Sequence, residues 1–192
     1  MIVCKPDFAA DLLGVPYDTL IKDITGQQRP EAAYPWLAWR DEGKQQSDLF
    51  IPRGLLPVFR LLRQGASAGL SRMDINRLLA ALPFERLLAE ARLPSVLVVY
   101  PETGQIAEYD VRLVPAPRAD DPTRLSADGD RPAMVGFALE AIREELRARA
   151  AGMTGAPGDA FELSGEWQLI MATVLSNSYR NWRARLNGDG PA

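Results

Sequence analysis

The sequence predicts an α+β fold that is mostly helical, with an antiparallel β-hairpin and a pair of helices at its C-terminal end. Three observations support this prediction. Apolar residues recur with helical spacing in the segments 72–82, 133–151 and 167–182. Two runs rich in β-branched residues flank a Pro/Gly turn after Tyr100. Small and apolar residues surround Gly14 in a pattern typical of two short helices joined by a tight turn.

The N-terminal segment Ala9–Ile21 reads AADLLGVPYDTLI. Glycine enters positive φ without a Cβ penalty, so we expect Gly14 to form the turn between two helices. This is the sequence form of a helix-turn-helix, and it resembles the N-terminus of the excisionase/MerR-like group. The resemblance implies DNA binding, with the helix Pro16–Ile24 in a major groove. Its candidate contact residues are Tyr17, Thr19 and Lys22.

The charge of this N-terminal segment favours a second interpretation. Residues 1–50 contain five basic and eight acidic side chains. Affinity for DNA comes largely from Lys and Arg that neutralise phosphates, so an acidic recognition helix is unusual. A structural hairpin, or a helix-turn-helix that contacts another protein, would have the same pattern.

The central segment is basic and has the element order of a winged helix. Helices are predicted at 55–62, Arg72–Leu82 and Phe84–Arg92, and a hairpin of Val96–Tyr100 with Ile106–Leu113 follows. We expect the strands to join through a turn at 102–105 and to pack on the Arg72–Arg92 helices.

Seven arginines and three acidic residues lie between positions 53 and 92. Arginine suits bidentate contact with phosphate, so Arg53, Arg60 and Arg63 are candidate DNA contacts. Together with Lys22 they are expected to share one exposed face. In the alternative interpretation, these arginines only solvate the outer faces of leucine-rich helices.

The sequence divides into a helix-turn-helix and winged-helix-like region at 1–114, a Pro/Asp-rich linker or loop at 115–132, a C-terminal helical pair at 133–187 and a disordered tail at 188–192. The first helix of the pair is predicted at Ala133–Ala151. The second has Ser164 as its N-cap and one apolar stripe, formed by Trp167, Ile170, Met171, Val174, Leu175 and Trp182.

The last helix ends in a basic, aromatic segment. The candidate partner-binding residues are Trp167, Tyr179, Arg180, Trp182 and Arg183. They could contact a nucleic-acid backbone, the acidic surface of a protein partner, or a second copy in a homodimer. The alternative is that these cations only complement the negative end of the helix dipole.

Composition excludes several classes of chemistry. The chain of 192 residues has no histidine and one cysteine, Cys4, so Ser-His-Asp, Cys-His and tetrahedral zinc sites cannot be built. It also has no phosphate-binding glycine motif. We therefore expect a protein that is not an enzyme and uses no metal or other cofactor. The absence of a signal peptide and of a long apolar run predicts a cytoplasmic protein without membrane contact.

These observations predict a non-catalytic DNA-binding protein, a regulator or DNA-processing accessory factor of a mobile element, as the resemblance implies. The alternative is a protein-interaction adaptor or inhibitor that uses a winged-helix-like scaffold to bind another protein. Steep salt dependence of binding would favour DNA.

Overall fold

A computed structural model describes residues 1–26, 33–40, 49–91, 95–99, 110–114, 134–153 and 160–188. The described chain is α+β and mostly helical, as predicted. Its helices are α1 (Pro6–Leu13), α2 (Tyr17–Thr25), α3 (Leu56–Ser67), α4 (Arg72–Ala80), α5 (Phe84–Leu88), α6 (Leu139–Gly152) and α7 (Gly165–Leu186). Its strands are β1 (Ile2–Cys4), β2 (Trp39–Arg40), β3 (Leu49–Pro52), β4 (Ser95–Val99), β5 (Asp110–Val114), β6 (Met134–Phe137) and β7 (Ala160–Glu162). Short 3-10 turns cover Pro35–Leu37 and Arg53–Leu55.

The first two helices meet at a glycine corner. Helix α1 starts with Pro6, whose fixed φ suits the first helical position, and it ends at Leu13. Gly14 then adopts a φ of 67°, and its N–H donates to the carbonyl of Asp11. Helix α2 follows Pro16. The predicted pair of helices with a positive φ at Gly14 is therefore confirmed.

A four-stranded antiparallel sheet joins the two ends of the described chain. Its strand order is β2-β3-β1-β7, and Val3 lies opposite both Pro52 and Phe161. The N-terminal ammonium group of Met1 donates to the carbonyl of Leu163, 3.1 Å away, just beyond β7. This pairing places the start of α7 beside the N-terminus.

A second antiparallel sheet has the order β5-β4-β6. Val96 pairs with Leu113 and Val98 with Val111, which confirms the predicted hairpin; the predicted turn at 102–105 lies outside the described residues. The most extensive contacts of β4 outside the hairpin are with β6 and α6, whereas the sequence placed the hairpin against the helices of 72–92.

Strand β6 corrects the predicted boundaries of the C-terminal helix. Residues 134–137 were expected to begin a helix, but they pair with β4, and α6 begins at Leu139. Valine and glycine at 135 and 136 weaken the start of a helix, and the second edge of β4 offers the backbone hydrogen bonds of a ladder. Tertiary pairing thus overrides the helical periodicity.

One hydrophobic core joins buried residues of the range 3–88 to buried residues of the range 137–182. Helix α3 lies inside it, with Val58 and Leu61 fully buried, and it packs against α1 and α6. Phe137, Leu146 and Leu175 belong to the same cluster. The C-terminal helices are therefore built into the same core as the N-terminal ones. The predicted linker at 115–132 and the tail from 189 onward lie outside the described residues.

Candidate functional site

The three arginines predicted to contact phosphate are each paired with a carboxylate. Arg53 lies 2.7 Å from Glu90, Arg60 lies 3.2 Å from Glu145 and Arg63 lies 2.5 Å from Asp23. Glu90 follows α5, Glu145 is on α6 and Asp23 is on α2, so the three arginines reach toward three different elements. Arg60 and Arg63, three residues apart on α3, line one groove, and each of the three arginines has part of its charge offset by a carboxylate.

The exposed side of α2 carries the remaining candidate DNA contacts. Tyr17 is 46% exposed, Lys22 is exposed and Thr19 is half-buried. Asp18 is exposed on the same helix. Burial raises the pKa of Asp23 above its ordinary value, and the neighbouring Arg63 acts in the opposite direction. The second helix of the corner therefore presents one lysine and one aromatic ring beside acidic groups.

Two of the predicted partner-binding residues lie in the core. Tyr179 and Trp182 are 4% and 5% exposed. The Tyr179 hydroxyl is 2.8 Å from the carbonyl oxygen of Leu79, in the last turn of α4, where helix carbonyls lack intrahelical donors. Burial raises the pKa of Tyr179 to about 12, although Arg183 opposes this. The structure gives these two rings a packing role.

The arginines near the end of α7 are at the surface. Arg180 is exposed and donates to the carbonyl of Ser176 and to Asn177 Oδ1 within its own helix. Arg183 is also exposed. Both cations lie in the C-terminal part of α7, where they complement the helix dipole.

The aromatic residues Tyr34 and Trp36 join Tyr179 and Trp182 in a buried cluster with Phe84. The Trp36 ring is 5.1 Å from that of Tyr179, 5.3 Å from that of Trp182 and 5.6 Å from that of Phe84. Sequence analysis did not connect these residues, because the cluster joins segments more than a hundred positions apart. It fixes the C-terminal half of α7 against α5.

The N-terminal half of α7 exposes a row of large apolar side chains. Trp167, Ile170 and Val174 are 56%, 37% and 46% exposed, and we call them the docking stripe. Spacings of three and four residues place them on one helix face. Met171 and Leu175, on the neighbouring face, are buried. The single stripe predicted from the sequence is therefore two stripes, one in the core and one at the surface.

Aromatic residues of the four-stranded sheet contact Trp167, the first residue of the docking stripe. The Trp167 ring is 6.1 Å from that of Trp39, which stacks on Phe50 at 5.8 Å. Phe50 contacts Phe161 of β7 edge to face at 5.5 Å. These ring contacts hold the Trp167 side chain against the sheet.

The described residues hold no group of three Cys, Asp or Glu side chains placed to bind a metal ion. Within the same ranges, no helix combines the length and apolar content of a membrane span. Comparisons of the chain with protein-family models, with curated proteins and with solved structures find no match.

Proposed function

We propose that this protein is a non-catalytic interaction adaptor that binds another protein through the docking stripe of α7. The observation that carries the proposal is the exposure of Trp167, Ile170 and Val174 on one helix face. Contiguous exposed apolar side chains mark interaction sites, and tryptophan is enriched among the residues that dominate binding energy. Pairing of Arg53, Arg60 and Arg63 with carboxylates favours this function over DNA binding.

The spacing of the stripe indicates the kind of partner. Exposed Asn177 and Asn181 continue the positions 167, 170 and 174, which gives the alternating spacing of three and four residues typical of a coiled-coil seam. An amphipathic helix of a partner fits such a straight apolar row. The two asparagines would fix the position of the partner helix along α7, because each side-chain amide in the interface needs a hydrogen-bonding group on the partner.

Partner capture with matched variants tests this function. In Trp167→Ser/Val174→Lys both changed side chains lie on the docking stripe. In the control Leu169→Ser/Thr173→Lys, the same replacements fall on another exposed face of α7. We expect the wild type and the control to retain the same protein from cell extract, and the stripe variant to bind it at least about tenfold more weakly after purification.

The result that contradicts the adaptor function is equal retention by all three forms, or a loss shared by the stripe variant and the control. Trp167 packs on Trp39, so the stripe variant should lower the urea midpoint somewhat, whereas the control should keep it. Binding lost by a stripe variant that is still folded in the absence of urea assigns the effect to the docking stripe.

DNA binding is the second candidate, and the glycine corner between α1 and α2 favours it. In this interpretation α2 enters the major groove, and Tyr17, Thr19 and Lys22 make the contacts. The proposed setting for either function is the cytoplasm.

Salt dependence tests the DNA candidate. DNA affinity should fall steeply between about 50 and 200 mM salt, and Lys22→Gln should lower the slope of log K against log salt by about one. Binding that is absent at the lower salt, or a slope unchanged by Lys22→Gln, contradicts the model.

A further inference from the structure

Two exposed side chains of opposite charge flank the docking stripe along α7. Glu166 is in the first turn of the helix, and Arg180 is in its C-terminal half. Positions 166, 173 and 180 are spaced by seven residues, so they share one helix face beside the stripe. Arg180 donates to Ser176 and Asn177 of its own helix. Among the described residues, neither Glu166 nor Arg180 forms an ion pair, so both charges are available to a second molecule.

The distribution of charge along α7 is self-complementary. Its first turn carries Glu166, its C-terminal half carries Arg180, Arg183 and Arg185, and the docking stripe begins between these charged ends. A second copy of α7 that runs in the opposite direction would bring its cationic end beside Glu166 and its acidic end beside Arg180. A parallel copy would instead place Arg180 beside Arg185 of the second copy, which is repulsive. The charges therefore favour an antiparallel pair.

One antiparallel register matches the apolar and the charged groups together. When Ile170 faces Val174 of the second copy, the apolar centre of each stripe is covered by that of the other. Trp167 then faces Asn177 of the second copy, and its indole N–H can donate to the amide oxygen. The same register places the acidic side chain at 166 beside the arginine at 180 of the other copy. Two-fold symmetry makes each of these contacts occur twice.

We propose that α7 binds α7 of a second copy in this antiparallel register, which makes the chain a symmetric homodimer through the docking stripe. The inference rests on the proposed function, since both use the docking stripe as an interaction surface, and the second copy would compete with the adaptor's partner. A contact between two single helices is small, and small interfaces are weak and transient. The chain is therefore a monomer with an exposed stripe at low concentration and a dimer at high concentration.

Sedimentation velocity at increasing protein concentration, with charge-reversed variants, tests the homodimer. The wild type should change from monomer to dimer across the micromolar range. Glu166→Arg and Arg180→Glu should each weaken the dimer by about tenfold or more, because each replaces both attractive pairs by repulsive ones. An equimolar mixture of these variants should dimerise like the wild type, because every 166–180 pair of the mixed dimer again joins opposite charges.

Arg183→Glu is the control, because Arg183 is exposed on the side of α7 that faces away from the docking stripe. It should leave dimerisation unchanged, and all three variants should stay folded, since the changed positions are at the surface. A wild type that stays monomeric, a mixture that does not dimerise, or an equal loss in the control overturns the homodimer. None of these results contradicts the adaptor function, which is tested separately by capture of a partner on the docking stripe.

Discussion

Replacing Trp36 by alanine should lower the free energy of unfolding by about 3 to 5 kcal/mol, the range for loss of a large aromatic side chain from a core. Trp36 has no exposed surface, and its ring contacts those of Tyr34, Phe84, Tyr179 and Trp182. The substitution leaves a cavity at the junction of α5, α7 and the 3-10 turn Pro35–Leu37. Urea unfolding followed by circular dichroism measures the loss.

Trp36→Phe is the matched control. The indole Nε1 of Trp36 is buried and has no hydrogen-bond partner among the described residues, so phenylalanine also removes an unsatisfied donor. We expect a loss below about 2 kcal/mol, because most of the aromatic packing is kept. A loss below about 1 kcal/mol for Trp36→Ala would mean that the ring cluster does not stabilise the fold.

Gly54→Ala should destabilise the protein by about 3 kcal/mol, at the upper end of the usual overpacking cost. A Cβ at this position would lie 1.9 Å from the carbonyl oxygen of Leu87, and this backbone atom cannot rotate away as a side chain can. The turn Arg53–Leu55 would have to separate from α5. That movement would also weaken the ion pair between Arg53 and Glu90.

Gly65→Ala provides the comparison, because Gly65 is buried within α3. A Cβ there would lie 3.3 Å from Cγ1 of Ile75, a side-chain atom that can shift. Alanine gains about 1 kcal/mol of helix propensity over glycine, so we expect a change close to zero. Thermal or urea unfolding of both variants measures the difference. Similar changes in stability for Gly54→Ala and Gly65→Ala would contradict the close approach of Gly54 to the Leu87 carbonyl.

Local features of the fold could be predicted from the sequence where the backbone conformation at one position favours a particular residue type. Gly14 forms the corner because the turn needs positive φ. Ser71 directly precedes the apolar repeat of 72–82, and in the structure it caps α4 and forms a capping box with Asp74. The valine-rich strand 95–99 pairs with the strand 110–114, as the β-branched residues on both sides of the Pro/Gly turn predict.

Features that depend on distant partners could not be predicted in the same way. Strand β6 forms because the edge of β4 opposite β5 offers backbone hydrogen bonds to residues 134–137. The helical spacing of apolar residues in 133–151 gives no information about that edge. The predicted arginine surface did not include carboxylate partners for Arg53, Arg60 and Arg63. Carboxylates on three other elements pair with them, and these pairings follow from tertiary packing alone.

The docking stripe illustrates the same limit on α7. Trp167, Ile170 and Val174 share the apolar character of Met171 and Leu175, so the sequence predicts one apolar stripe. Only the direction from which the aromatic cluster and the sheet approach decides which residues are covered. One feature of the sequence does indicate that the docking stripe is at the surface. Its spacing of three and four residues continues into Asn177 and Asn181, and these polar side chains are unfavourable on a buried helix face.

Radical footprinting of the tryptophans, with and without the captured partner, tests the adaptor function most directly. Trp167 should be oxidised readily in the free protein and protected several-fold in the complex, because its exposed surface is covered. Trp36 and Trp182 are buried and should be oxidised slowly in both states. If Trp167 is oxidised at the same rate in the complex as in the free protein, the docking stripe is not where the partner binds.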